Sequence, residues 1–296
     1  MPSLSARFAL GFVVAASLCW SLLGIWGKQA QAAGVGPIEI GFWRALIAGV
    51  LFLAQALAVR ADFPRGRALV GVAALGLVTV ALFYTSYQYS VRFGGASLAS
   101  VLLYTAPAMV AILGWLFLKE RLGPREIGAV IACVSGVALI GFGGGQGVSV
   151  GLVSVATGLT AGLCYALYYL FGRTLLRHYH PAAVFAVMML AGAAALLPFT
   201  RHHPVDAPGW LNVLGLGIIG TWVAYLLSGL GLKHVAATRA SVVSSVEPVA
   251  AMLLAAWLFH ERLAPLALVG AALVVGAAVA LSLPRKANAA AADRGT

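Results

Sequence analysis

Residues 68–91 read ALVGVAALGLVTVALFYTSYQYSV, 24 consecutive positions without an Asp, Glu, Lys or Arg. A helix rises about 1.5 Å per residue, so about 20 apolar residues cross a hydrocarbon layer roughly 30 Å thick. This stretch is long enough to span a bilayer unaided. Working outward, residues 8–27, 93–118 and 210–232 are equally free of those four residue types. Interrupted or shorter apolar runs occupy 37–59, 127–142, 150–172, 181–200, 238–259 and 263–283. The predicted fold class is therefore an all-α integral membrane protein with ten transmembrane helices. Composition agrees: the chain is 62% hydrophobic and 9% charged, far from the roughly 25% charged residues of soluble domains.

Arg7, an apolar run and then Ala30-Gln31-Ala32 imitate a cleaved signal peptide. The run is too long for a signal core of about 7–15 residues, so a retained first span is expected. The net charge of +11 needs sorting by loop before any partner is named. With ten spans and a cytoplasmic N-terminus, 14 of the 19 Lys and Arg residues fall on the inside. Only Lys28, Arg44, Arg92, Arg201 and Arg262 fall outside, which is the positive-inside asymmetry. Both termini are expected in the cytoplasm of a bacterial-type inner membrane. The basicity is accounted for by topology and anionic headgroups, so no nucleic-acid partner is expected. Cys19, Cys133 and Cys164 lie in apolar runs without CxxC spacing, and the six histidines form no ligand pattern. No metal and no cofactor are expected.

The chain also resembles itself. Leu118-Lys119-Glu120-Arg121-Leu122 matches Phe259-His260-Glu261-Arg262-Leu263 at an offset of 141. The same offset pairs Gly76 with Gly217, Tyr84 with Tyr225, Arg92 with Lys233, Pro107 with Pro248 and Pro124 with Pro265. At 145, Cys19-Trp20 meets Cys164-Tyr165 and Gly27-Lys28 meets Gly172-Arg173. Polar and proline matches are rare in apolar spans and carry the register. Two halves, 1–146 and 147–296, then hold five spans each. An odd number forces the second to enter the membrane with opposite orientation, which makes an inverted repeat around a midplane cavity.

Through the two Glu-Arg motifs and Glu247-Pro248, the chain resembles the EamA branch of the drug and metabolite transporter superfamily over residues 8–283. Within it the chain is most similar to amino-acid exporters of the YddG type. The resemblance implies that spans 1–4 and 6–9 enclose a cavity with spans 5 and 10 peripheral. It also implies export as the direction of transport.

Among the eight acidic residues, Glu247 alone falls inside a span. Nine residues from Thr238, it sits roughly 13 Å deep, where a carboxylate costs about 3 kcal/mol or more to insert. It either faces a cavity or ties its helix to a neighbouring backbone. Pro107 and Pro248 sit mid-span and free the carbonyls of Leu103 and Ser244, so both helices are expected to hinge. The freed carbonyls either meet a solute or are packed away. Helical spacing puts Trp20 with Ser17, Ser21 and Gly24, Ser100 with Tyr104, Tyr165 with Tyr168, and Tyr225 with Thr221 and Ser228 on common faces. The candidate cavity wall is Trp20, Tyr84, Ser100, Tyr104, Tyr165, Tyr168, Trp222, Tyr225, Ser244 and Glu247. Arg44 either attracts a carboxylate at the cavity entrance or snorkels to the interface beside Trp43. Glu120/Arg121 and Glu261/Arg262 read as loop ion pairs that fix helix ends.

An apolar cavity with hydroxyls and aromatic rings suits a small amphipathic solute. The expected function is a secondary, ATP-independent exporter of small metabolites, most readily amino acids including aromatic ones, working by alternating access as a monomer or weak homodimer. Its partners are then the solute and the lipid bilayer. A membrane-embedded enzyme acting on a lipid or prenyl substrate is the alternative. That chemistry needs paired carboxylates, a His/Asp constellation or a metal cluster, and none is written in the chain, so no catalytic residue is expected.

Overall fold

The structure is a computed structural model that describes residues 6–94, 96–120, 122–143, 151–200, 206–259 and 264–283. The chain forms an all-α, multi-span membrane fold of about ten helices. Eight of the described helices are long and apolar enough to cross a bilayer: α1 (Phe8–Ala32), α2 (Pro37–Ala58), α3 (Arg67–Gly94), α4 (Leu98–Leu118), α5 (Pro124–Phe142), α6 (Leu152–His178), α7 (Pro181–Phe199) and α8 (Ala207–Leu232). Helix α9 follows in two pieces, Ala237–Ser244 and Val246–Phe259, and α10 is Pro265–Ser282. Of the second Glu-Arg motif, residues 260–263 lie outside the described residues, as does Arg121.

The helix starts follow from their sequences. Proline opens or nearly opens α2, α5, α7, α8 and α10, where its missing N–H has no intrahelical partner to lose. Asp206 accepts the Gly209 N–H at 2.8 Å ahead of α8, and Glu39 accepts the Gly36 N–H at 3.0 Å ahead of α2. His180 caps α7 by accepting the Ala182 N–H. Burial, and then the Lys233 charge, hold the pKa of this imidazole below its usual value and keep it in the accepting, neutral form.

The interruptions are the informative part of the fold. The first helical piece of α4 (Ala96–Leu103) ends before Tyr104-Thr105, and the second (Ala106–Leu118) begins after it; α9 parts at Ser245. Each break lies three residues before Pro107 or Pro248, where the proline ring and missing donor disfavour a continuous helix. Both helices are thus interrupted beside their prolines, and residues 238–259, read as one span, form two pieces. Helices α3 and α8 each contain a π-helical turn, Leu77–Leu82 and Ile218–Val223. Such turns concentrate at functional sites, and these two stand 141 residues apart.

Close contacts recur at similar spacing. A Cβ added to Gly76 would come within 2.8 Å of Met188 Cα, and one added to Gly217 would lie 2.8 Å from the Ile47 side chain. Helix α2 packs on α7, α5 on α10, α3 on α6, and α1 on α8. Following the chain through the spans, α1 starts and α10 ends at one face, here the terminal face. The turn at 33–36, the end of α7 and the start of α8 lie at the opposite, distal face.

Candidate substrate cavity

A cavity of about 500 Å³ opens among α1, α2, α3, α4, α6, α8 and α9. Helices α5, α7 and α10 contribute nothing to its lining. For α5 and α10 this is the peripheral position that the resemblance implies. For α7 it is a departure, because α7 is buried behind α2 and α3 as a backing layer.

Seven of the ten candidate wall residues line the cavity: Trp20, Tyr84, Ser100, Tyr104, Tyr165, Tyr225 and Glu247. Pro248 lines it too. Tyr168, Trp222, Ser244 and Pro107 do not. The buried Tyr168 hydroxyl shares a 2.8 Å hydrogen bond with Ser228, and its ring stacks on Tyr165 and meets Tyr225 edge to face. Ser244 lies one layer beneath the wall, 3.3 Å from the Ser17 hydroxyl and 3.4 Å from that of Tyr165. The Trp222 indole N–H points away and donates to Gln55 at 3.1 Å. Pro107 is buried at the start of the second piece of α4. Helical spacing gives the correct faces, but it does not say which layer of a face meets open space.

The carbonyl freed by Pro107 is packed away. A Cβ on Gly162 would fall 3.3 Å from the Leu103 oxygen and 2.9 Å from that of Leu102, so α6 seats a glycine against the break in α4. The hinge is shaped by packing rather than offered to the cavity.

Arg44 is the residue whose role the sequence left most open. It lines the cavity instead of snorkelling away. Its Nε donates to Thr221 Oγ1 at 3.1 Å, and its guanidinium carbon lies 4.7 Å from the centroid of the Tyr84 ring. Thr221 sits in the π-helical turn of α8 and donates to the Leu216 carbonyl five residues back, so the turn fixes the acceptor that holds Arg44. Phe83, Tyr87 and Gln88 of α3, and Gln31 of α1, are further wall residues that face periodicity did not single out. Tyr87 and Gln88 lie one turn from Tyr84 and Gln31 three turns from Trp20, so extending those two faces would have found them, while Phe83 sits on the adjoining face.

The floor of the cavity is aromatic. Trp20 meets Tyr225 edge to face at 5.5 Å and Tyr165 at 6.3 Å, and Phe83 stacks on Tyr165 at 5.8 Å; behind this floor Tyr225 contacts Phe185 of α7 at 5.5 Å. Below it the terminal face is closed by polar contacts. Glu120 pairs with Arg173 and accepts the Ala237 N–H (3.0 Å) and the Thr238 hydroxyl (2.9 Å), which fastens the end of α4 to the ends of α6 and α9. Glu120 is therefore a tie between distant helices; Arg121, read as its loop partner, lies outside the described residues. Lys119 makes the turn with a left-handed backbone (φ 52°). At the distal end the lining reaches Gly27, Gln31, Pro37 and Val91, and Gln31 is exposed. The cavity opens toward the distal face.

Such a bundle, closed at one face around a polar and aromatic cavity, defines a transmembrane transport protein. Among the described residues no group of His, Cys, Asp and Glu could hold a metal ion. The model of the EamA-like transporter family matches the chain twice, over residues 7–142 and 152–283, and the chain belongs to that family. It is a transporter and not an enzyme. An uncharacterised transporter of Bacillus subtilis, YwfM, is 29% identical over 93% of this chain and 94% of its own length. An uncharacterised transporter of Archaeoglobus fulgidus is 29% identical over 81% and 87%. A protein of Streptantibioticus cattleyicolor described as a probable terminal-alkyne amino-acid exporter is 28% identical over 81% and 82%. A solved crystal structure superposes with a TM-score of 0.81 at 21% identity, covering 92% of this chain and 95% of that one, and bears on the fold alone.

Proposed function

We propose that the chain is a secondary exporter of small amphipathic metabolites, in particular amino acids including aromatic ones, and that it works by alternating access. The observation that carries the substrate class is the cavity wall: Trp20, Phe83, Tyr84, Tyr165 and Tyr225 around Arg44 and Glu247. Aromatic walls gain from stacking against an apolar body, while a few fixed polar groups orient its ends. The kinship with a probable amino-acid exporter points the same way.

In this reading residues 1–146 and 147–296 are two five-helix units of opposite orientation, with both termini in the cytoplasm of a bacterial-type inner membrane. Support comes from the double match of the family model, from π-helical turns 141 residues apart, and from breaks at Tyr104 and Ser245, again 141 apart. Inverted units allow the bundle to rock between two states around one midplane site. The terminal face is then cytoplasmic and the described state is open outward. The protein acts as a monomer or a weak homodimer.

The test is counterflow in liposomes holding the purified protein. Labelled Phe and Trp are expected to accumulate against an unlabelled internal pool, faster than in protein-free vesicles. No exchange across a broad amino-acid panel, with protein that stays monodisperse and folded, would sink the substrate reading and leave the family membership untouched.

A further inference from the structure

The cavity wall carries two ionisable side chains, the basic Arg44 of α2 and the acidic Glu247 of α9, and every other described lining residue is neutral at pH 7. Both line one cavity, yet they form no ion pair within 4.0 Å among the described residues. Each is half-buried. A charge removed from bulk water without a partner is costly, and two opposite charges that line one cavity and stay apart leave room for a ligand that answers both.

Each pole carries a second mark. The Tyr84 ring lies under Arg44, and its buried hydroxyl is a neighbour of Tyr225. The buried Tyr104 hydroxyl is a hydrogen-bond neighbour of the Glu247 carboxyl. Both tyrosines line the cavity, one beside each pole. The poles also break the internal repeat. At the 141 offset Glu247 answers to Ala106, and α7, the counterpart of α2, has no charged residue. The charges are thus additions to a scaffold otherwise built in duplicate.

We propose that the site recognises its solute as a zwitterion, with the carboxylate held by Arg44 and the ammonium by Glu247. This rests on the amino-acid reading above and adds to it that both charged ends are required. With Nε committed to Thr221 and one face to Tyr84, the guanidinium is held in place while its terminal N–H groups remain to grip a carboxylate side by side. Trp20, Phe83 and Tyr165 receive the side chain between the poles. An amine lacking the carboxylate leaves Arg44 unanswered, and an acid lacking the amine leaves Glu247 unanswered. A site that loses a partner for a buried polar group discriminates far more strongly than one that loses a methylene.

The test is competition against labelled Phe counterflow in liposomes, using unlabelled Phe, phenethylamine and 3-phenylpropionate, which share a ring and differ in charge. Phe is expected to compete at a concentration at least about tenfold lower than either singly charged analogue. In Arg44→Gln the gap between Phe and phenethylamine is expected to close to within about threefold, and Arg44→Lys to restore part of it. Glu247→Gln is expected to close the gap for 3-phenylpropionate instead. Equal competition by either analogue on the unaltered protein, which requires no variant to fold, would overturn the two-pole site and leave amino-acid transport standing. The two-pole site also falls if both glutamine variants transport Phe with the unaltered order of preference. Absence of exchange with any amino acid would remove both readings together.

Discussion

Gly76 and Gly24 differ in what surrounds them, and the difference separates scaffold from site. A Cβ on Gly76 would meet the Met188 backbone, which cannot swing aside, whereas one on Gly24 would meet nothing within 4 Å and would project at the cavity. Gly76→Ala must therefore push α7 away from α3, with an expected cost of about 1–3 kcal/mol as in other overpacked contacts. A lowered unfolding temperature in detergent would register it. Gly24→Ala should unfold at the unaltered temperature and still bind solutes with smaller side chains, while transport of Trp falls severalfold. Equal unfolding temperatures for Gly76→Ala and the unaltered protein would contradict the packing argument. Both residues are equally plain in the sequence. Gly76 could be singled out through its match with Gly217, but a partner far along the chain on α7 leaves no trace in either residue's own neighbourhood. Arg44 illustrates the same limit: its type and depth permit both interface and cavity, and only Thr221, presented by a π-helical turn on α8, decides between them.

Among the elements, α4 and α9 show how far the sequence carries. Their prolines placed the breaks to within three residues, because a missing donor and a ring clash act locally. Glu120, after α4, shows the converse, a contact that no local signal gives away. Adjacent residues on a chain rarely face each other, and the left-handed turn at Lys119 swings Glu120 under the bundle toward Arg173 of α6 and the first N–H groups of α9. Gly114 makes room for it, since a Cβ there would lie 3.2 Å from Glu120 Oε2. The Glu120 and Arg173 side chains are only 9% and 16% exposed, so removing one strands the other. Glu120→Ala is expected to lower stability by about 3 kcal/mol, with Glu120→Gln retaining part through its carbonyl oxygen. Thermal unfolding of the two variants checks the order. Indistinguishable melting of Glu120→Ala and the unaltered protein would show that the tie between α4, α6 and α9 contributes nothing.

In the molecule as a whole, these ties set the direction in which the cavity faces. Glu120 with Arg173, and Glu126 with Arg239 at 3.4 Å, close the terminal face. Arg125 reaches the Leu283 carbonyl at the end of α10 on the same side. No ion pair is seen at the distal end among the described residues, where the cavity lining runs out to Gln31 and Pro37. The basic residues sort the same way, with Arg60, Arg65, Arg67, Arg125, Arg177 and Arg239 at the terminal face, and loops rich in Lys and Arg stay in the cytoplasm. A membrane-impermeant maleimide should therefore label Gln31→Cys in intact cells, and unlabelled Phe should slow that labelling by filling the cavity. Arg177→Cys, on the terminal face, should react only after the membrane is opened. Cys133 and Cys164 are buried and Cys19 is half-buried, so they add little background. Breaking the terminal tie shifts the balance between the two states, because whatever destabilises one end of a two-state bundle favours the state in which that end is open. Adding Glu120→Ala to Gln31→Cys should accordingly slow labelling from outside. Labelling of Gln31→Cys at the same rate with and without the Glu120 tie would mean that the two ends open independently, and the rocking of two units about one site would have to be abandoned.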